Sequence, residues 1–277
     1  MMDNSLTKTE IRADENVPVF NVYTWYIWRH LAKNLIIRDI KVRYKQTLAG
    51  FFWVIAQPAA TALIMSFVLG KIANLETGQY PVTIFIFVGV IAWQFCSTGV
   101  NASSNCILNE RGLIVKVYFP RVILIVSSIL SYTIDFLIGF TVLVVVLTAS
   151  GYPPSWTFVL TPLVIVPGVL AILSFSLILG PLSAVIRDFR YISGFLIQFL
   201  VFATPVFFPF NLVPENLQFI FALNPFLHVI EIYRWLVLGE MTCEPVHLLV
   251  SLGAEVFLLF VGVKVFRLID RRIVDYI

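Results

Sequence analysis

The sequence predicts an all-α membrane protein with six transmembrane helices, an N-terminal amphipathic interface helix, and re-entrant periplasmic helices between spans five and six. Three observations carry that prediction. Of the 277 residues, 59% are hydrophobic and only 13% are charged, well below the roughly 25% charged residues of a soluble domain; mean hydropathy is +0.92. The apolar residues gather into runs near the ~20 residues needed to cross a bilayer. The 19 Lys and Arg side chains lie at the edges of those runs. With both termini cytoplasmic, only Lys71 and Arg234 fall on the far side, the asymmetry expected when cations mark the inner face.

Residues 1–19 hold too little apolar content to offset ordering entropy and are expected as a mobile cytoplasmic tail. Their polar, mixed-charge start lacks the apolar core of a cleaved signal peptide. Residues 20–47 read as an interface helix and a basic junction. Thr24, Ile27, Trp28, Leu31 and Leu35 recur at helical spacing, with Arg29, His30 and Lys33 on the other side. Tryptophans and tyrosines beside cations suit a helix lying in the membrane interface, although a soluble amphipathic helix packed on a partner has the same pattern. Residues 48–277 form the six-span domain.

The junction from Arg38 to Pro58 sets the orientation, because cations end there and no ionisable side chain follows until Lys71. Span one is expected at 51–70, span two at 82–108, span three at 122–149 and span four at 156–186. The fifth begins near Tyr191 and breaks at Pro205, and the sixth covers 248–266. The re-entrant segment, 205–247, contains Pro205, Pro209, Pro214, Pro225 and Pro245. Each lacks a backbone donor and disfavours helix in the residue before it, so two short helices are predicted, 215–222 and 225–238. Irregular backbone at that depth requires burial in protein or a cavity.

Several classes of function are excluded. There is no continuous basic stripe for nucleic acid. Cys96, Cys106 and Cys243 form no CxxC or Cys/His pattern and read as small core hydrophobes. The only Gly-Lys pair, Gly70-Lys71, lacks the rest of a phosphate-binding loop, so any ATP-driven work needs another chain. The segment 109–121, NERGLIVKVYFPR, is the best docking candidate for it. It is short and of mixed charge, with an apolar strip from Leu113 to Val117, which suits a brief helix set in a partner's groove.

Three stretches together, RYKQTLAGFFWVIAQP (43–58), NERGLIVKVYFPR (109–121) and NPFLHVIEIYRWLVLG (224–239), resemble the hallmark segments of type II ABC exporter permeases for lipid-linked polysaccharides. That group includes O-antigen, capsule and teichoic-acid exporters. The likeness covers nearly the whole chain from about residue 20. It implies a non-catalytic permease of the bacterial inner membrane, a homodimer working with two ATPase subunits that hold ATP and Mg. It also implies a coupling helix within 109–121, for which Glu110, Arg111, Leu113, Lys116 and Tyr118 are the candidates. The implied substrate is a polysaccharide on an undecaprenyl (pyro)phosphate carrier, moved from cytoplasm to periplasm, with O-antigen preferred over capsule or teichoic acid.

Such a substrate needs cations at the inner leaflet. Arg38, Lys41 and Lys45 share a helical face, with Arg43 displaced from it, and simple anchoring to anionic lipids is the competing role. Aromatic faces suit a sliding glycan. Phe51, Phe52, Trp53, Phe85, Phe87, Trp93 and Phe95 lie on spans one and two, which the resemblance places along the channel; core or lipid packing is the alternative for each. Asp135 and Glu255 fall near mid-membrane, where charge is costly. No cation is expected to pair with either in the core, and Gln57, Gln94 and Gln198 are the expected partners. Glu231 and Arg234, three apart, suit an ion pair that clamps or gates the outer segment. An exporter of a smaller lipid or drug, a membrane-bound glycosyltransferase and an autonomous secondary carrier are the alternatives. Glu76, Glu215, Glu240 and Glu244 form no DxD-like site for the second of these.

Overall fold

The structure is a computed structural model and describes residues 22–45, 50–152, 156–186, 188–270 and 273; the side chains of 22–25, 50 and 51 are outside that set. The expected tail, 1–19, and the Phe51 ring therefore lie outside the described residues. Among the described residues ten α-helices follow in order: α1 (Val22–Lys45), α2 (Gly50–Ser66), α3 (Val82–Asn109), α4 (Arg111–Ile114), α5 (Val122–Ala149), α6 (Ile165–Val185), α7 (Asp188–Leu200), α8 (Glu215–Ala222), α9 (Leu227–Leu238) and α10 (Pro245–Asp270). Among the described residues there is no strand.

Among the described residues five helical segments are long and apolar enough to cross a membrane: 52–72, 82–109, 122–149, 156–185 and 245–270. The first continues α2 into one π-helical stretch, Phe67–Ile72. The fourth joins a 3-10 stretch, Trp156–Val164, to α6. Pro167 is tolerated there because it lies in the first turn of α6, where an N–H has no partner inside the helix.

The expected fifth span is shorter than the others. α7 ends at Leu200, and the chain then runs through turns to Pro209. Pro205 offers no N–H to the Val201 carbonyl, so the last turn loosens before the proline is reached. This segment still supplies the crossing. Gly180 of α6 lies against the Ser103 carbonyl and Ile107 of α3, and Arg121 pairs with Asp270 at 2.7 Å. α3, α6 and α10 therefore end on the same side, the basic end of the bundle. Phe210 N donates to Thr242 Oγ1 at 2.9 Å, next to the start of α10 at the opposite end. The chain has crossed before α8 begins.

The pair α8 and α9, bent by 100°, makes no net crossing. The Leu238 carbonyl accepts from Tyr80 at 2.8 Å and the Leu236 carbonyl from Thr157 at 2.9 Å, both at the opposite end. The hairpin tip reaches the middle, where Phe226 meets Trp93 edge-on and stacks on Phe175, with ring centroids 5.7 and 5.1 Å apart. Its backbone groups are satisfied there, as burial demands. Asn224 Nδ2 donates to Thr204 Oγ1 and to the Ala203 carbonyl, Phe226 N donates to Asn224 Oδ1, and Ser251 Oγ donates to the Asn224 carbonyl.

The core lies around α3, whose flanking helices are α2, α5, α6 and α9. Its contact with α6 is close because the residues are small: Gly99 faces Ile172 and Ser103 Oγ is 2.5 Å from Ser176 Oγ. Cys96, Cys106 and Cys243 are all buried and free. α2 and the π-helical stretch after it are different, with many large apolar side chains left exposed, Phe52, Trp53, Leu63 and Ile64 in α2 and Phe67 beyond it.

Candidate functional site

The basic end carries the site. α1 lies mainly against α5, and its inward face is Trp28, Leu31, Ala32 and Leu35. The expected face is thus correct at Trp28, Leu31 and Leu35. Ile27 is corrected, since it is 47% exposed and Ala32 takes the inward register. Thr24 lies outside the described side chains.

Beyond Leu35 the same helix points its cations in different directions. Arg38 grips Glu110 in two parallel bonds of 2.9 and 2.6 Å and also reaches Asp39 at 2.8 Å. The Glu110 carboxylate, with a smaller contribution from Asp39, raises the Arg38 pKa above its ordinary value. Arg43 turns inward to Asp135 at 2.8 Å, donates to Ser131 Oγ at 3.1 Å and lies 3.6 Å over the Tyr132 ring. Tyr44 donates to the other Asp135 oxygen at 2.5 Å; burial first, then that carboxylate, raises its phenol pKa. Lys41 and Lys45 stay exposed. The cluster therefore divides: two arginines are held by carboxylates of the bundle and two lysines face outward.

This corrects the expectation that no cation meets Asp135. The pairing joins residues 92 positions apart, a distance at which no sequence periodicity is informative. Glu255 also has a basic neighbour, His228 Nε2, at 2.8 Å with both side chains buried. The expected glutamine partners are corrected too: Gln57 and Gln198 are exposed, and only Gln94 approaches Asp135, across a cavity of about 30 Å³.

A larger cleft of about 920 Å³ opens between α1, the second half of α3 and the first half of α5. Arg38, Arg43, Glu110 and Arg190 lie around it, and Asn101, Asn105, Ser127, Ser128 and Ser131 line its walls.

The segment 109–121 folds as the single turn α4 followed by an outward bulge. Ile114 and Phe119 are buried, and Phe119 meets Trp28 of α1 with centroids 6.4 Å apart. Val115, Val117 and Tyr118 are exposed at 66, 47 and 59%, and Arg111 and Lys116 are exposed beside them. Of the five expected coupling residues, Arg111, Lys116 and Tyr118 face out. Glu110 does not, because Arg38 holds it, and Leu113 packs partly on the core.

The expected channel aromatics divide as well. Phe85, Phe87, Trp93 and Phe95 are buried inside the chain, where Arg234 covers Phe85, Trp93 meets Phe226, and Phe95 meets Phe136. Within this chain they are covered by the helices that neighbour α3. Phe52 and Trp53 do face outward. Sequence reasoning missed a second outward track, Tyr191, Phe195, Phe199 and Phe202 of α7 and its exit. The near-i+4 spacing of aromatics was the signal available for it.

At the opposite end, Glu231 and Arg234 form the expected ion pair, both fully buried. Arg234 Nη2 donates to the carbonyls of Pro205 and Val206 at 3.0 and 3.3 Å. Glu231 accepts from Thr242 N and Oγ1 at 3.1 and 2.7 Å. The pair ties α9 to the end of span five and to the loop before α10.

These features define a polytopic helical permease with a braced, outward-facing segment at its basic end. The chain belongs to the ABC-2 type transporter family, whose model matches residues 30–238. It is 26% identical over 244 residues to the O-antigen export system permease protein RfbA of Myxococcus xanthus, covering 87% of this chain and 93% of that one. To the RfbA of Klebsiella pneumoniae it is 28% identical over 241 residues, covering 86% and 91%. To the polysialic acid transport protein KpsM of Escherichia coli it is 25% identical over 236 residues, covering 84% and 91%.

Proposed function

We propose that this chain is the permease of an ATP-driven exporter that moves an undecaprenyl-(pyro)phosphate-linked polysaccharide from cytoplasm to periplasm across the bacterial inner membrane. O-antigen is the favoured cargo, since two of the relatives described carry that name, and a capsule polymer is the second reading, from the polysialic acid relative. The permease acts as a homodimer with two ATPase subunits, which hold ATP and Mg. The basic end faces the cytoplasm, following the placement of cations.

The observation that carries this reading is the segment around α4. A chain with no phosphate-binding loop of its own holds Val115, Val117 and Tyr118 out on a short bulge, flanked by Arg111 and Lys116. Trp28 and Arg38 brace that bulge from α1, so force applied there is passed to the helix at the membrane face. Phe52 and Trp53 of α2 and the aromatic track of α7 are the apolar surfaces offered to a passing glycan. Exposed Lys41 and Lys45 serve the anionic head group, and Glu231 with Arg234 clamps the far end.

The experiment is an Arg111→Glu, Lys116→Glu double variant, with surface polymer and ATPase activity of the purified complex as readouts. The expected result is an inserted, stable permease whose polymer export falls at least tenfold. Normal export coupled to normal hydrolysis would refute the assignment of this segment.

A further inference from the structure

We infer that the cleft between α1, α3 and α5 is a sugar site, taking a neutral hydroxyl-rich ring of the cargo while the anionic group stays outside at the lysines. This rests on the proposed export of a lipid-linked glycan and adds where its first ring sits.

Arg38, Asp39, Arg43, Glu110 and Arg190 lie among the lining residues, and between them the walls are rich in uncharged hydrogen-bonding groups. Asn101, Asn105 and Asn109 follow one another at i, i+4 and i+8 on α3, so one helical face presents three amides. Ser127, Ser128 and Ser131 line the cleft from α5. Each amide offers both a donor and an acceptor, and each hydroxyl can do either, which matches the mixed character of sugar hydroxyls.

Two of these groups are left without a protein partner. Ser127, 1% exposed, has an unbonded Oγ, and Asn105 has an unbonded Oδ1. Asn105 Nδ2 donates to the Asn101 carbonyl at 2.8 Å, which leaves its second N–H and the acceptor oxygen. Buried polar groups are ordinarily satisfied. Unsatisfied ones in residues that line a cleft of this size point to a ligand that donates to Asn105 and bonds to Ser127 once these side chains turn toward it.

The two carboxylates at the cleft argue for a neutral ligand. Arg38 is held by Glu110 and Asp39, and Arg43 by Asp135 and Ser131, while Arg190, the third lining cation, is exposed. A phosphate entering the cleft would meet the Asp39 and Glu110 carboxylates and compete with them for Arg38, whereas a hydroxyl group meets no such opposition. The volume of about 920 Å³ lies in the upper part of the range of small-molecule sites, roughly 300–1,000 Å³, but those are mostly apolar. A lining divided about evenly between polar and apolar surface suits a sugar ring, which has hydroxyls at its edge and apolar C–H faces.

The test uses the purified permease with its ATPase subunit in lipid nanodiscs and two probes, farnesyl pyrophosphate and farnesyl pyrophosphate bearing one neutral hexose. Wild type should bind the hexose-bearing probe roughly tenfold more tightly, the worth of one to two hydrogen bonds. Asn105→Leu and, as the milder change, Ser127→Ala should remove that advantage and leave the affinity for farnesyl pyrophosphate unchanged. Equal binding of both probes by wild type, binding of neither, or an equal loss of both in the variants would overturn the sugar site. Deleting the chain is the separate control for the export reading. If surface polymer survives the deletion, that reading fails; if polymer is lost but the hexose adds no affinity, only the sugar site fails.

Discussion

Gly89 is the point where α3 meets the exit of span five, and Gly89→Ala tests that join. A Cβ on Gly89 would lie 2.9 Å from Arg234 Nη2 and 3.2 Å from the Val206 carbonyl carbon, with the Val206 oxygen closer still. The oxygen belongs to backbone, so no rotamer change relieves the overlap. Overpacking of this kind costs about 2 kcal/mol. Pushing the 205–206 backbone away also strains the two bonds from Arg234, at about 1 kcal/mol each. Alanine returns about 1 kcal/mol of helix propensity, so the net loss is about 3 kcal/mol. Gly194 of α7 is the matched control, since no atom lies within 4 Å of its added Cβ; Gly194→Ala should be neutral or stabilise by up to about 1 kcal/mol. Heat-induced loss of monodisperse protein in detergent reads the contrast. At roughly 2–4 °C per kcal/mol for a chain of this order, Gly89→Ala should fall by about 6–12 °C and Gly194→Ala should not fall. Equal thermal stability of the two variants would refute the close approach of α3 to the span-five exit.

The Arg38 and Glu110 pair should show a coupling energy of only about 1 kcal/mol in a double-mutant cycle. Its geometry is bidentate, but Arg38 is 44% exposed and solvent screens the interaction; the charge swap Arg38→Glu, Glu110→Arg should recover export that either single change impairs, and a double variant no better than the singles would show that the pair does not link α1 to α4. For the more protected Arg43 and Asp135 pair, Arg43→Met alone should lower detergent stability by about 2–3 kcal/mol, because it leaves a carboxylate facing the bundle. Adding Asp135→Leu should restore most of that loss, and a further fall in melting temperature would refute the pairing.

Much of this fold was legible because bilayer thickness imposes a length. Apolar runs of about twenty residues, ended by cations or prolines, located five of the crossings within a few residues, and the prolines of 205–245 located the bent pair. The early end of α7 was not legible, since Pro205 acts on a carbonyl one turn upstream and composition gives no sign of the loosened turn. The site was legible only in part. The spacing of Arg38, Lys41 and Lys45 separated Arg43 from its neighbours, yet nothing local revealed that Asp135 receives it. Aromatic content identified Phe85, Phe87, Trp93 and Phe95 as notable, but which side of a helix is enclosed depends on the helices around it, and α3 has neighbours on all sides. The track on α7 was missed because its interest lies in what the other helices leave uncovered.

The tip of the bent pair has a consequence for how the protein is made. Asn224 is bonded by groups from both directions along the chain, Thr204 and Ala203 before it and Ser251 after it. Synthesis delivers the earlier partners before the tip itself, but the hydroxyl of Ser251 arrives only with the last crossing. Until then the Asn224 carbonyl keeps the 3.1 Å bond from Leu227 N within the hairpin and lacks only its second donor. The last crossing therefore completes the polar tip of a hairpin that precedes it in the chain, and the tip gains its full set of bonds only once α10 is in place.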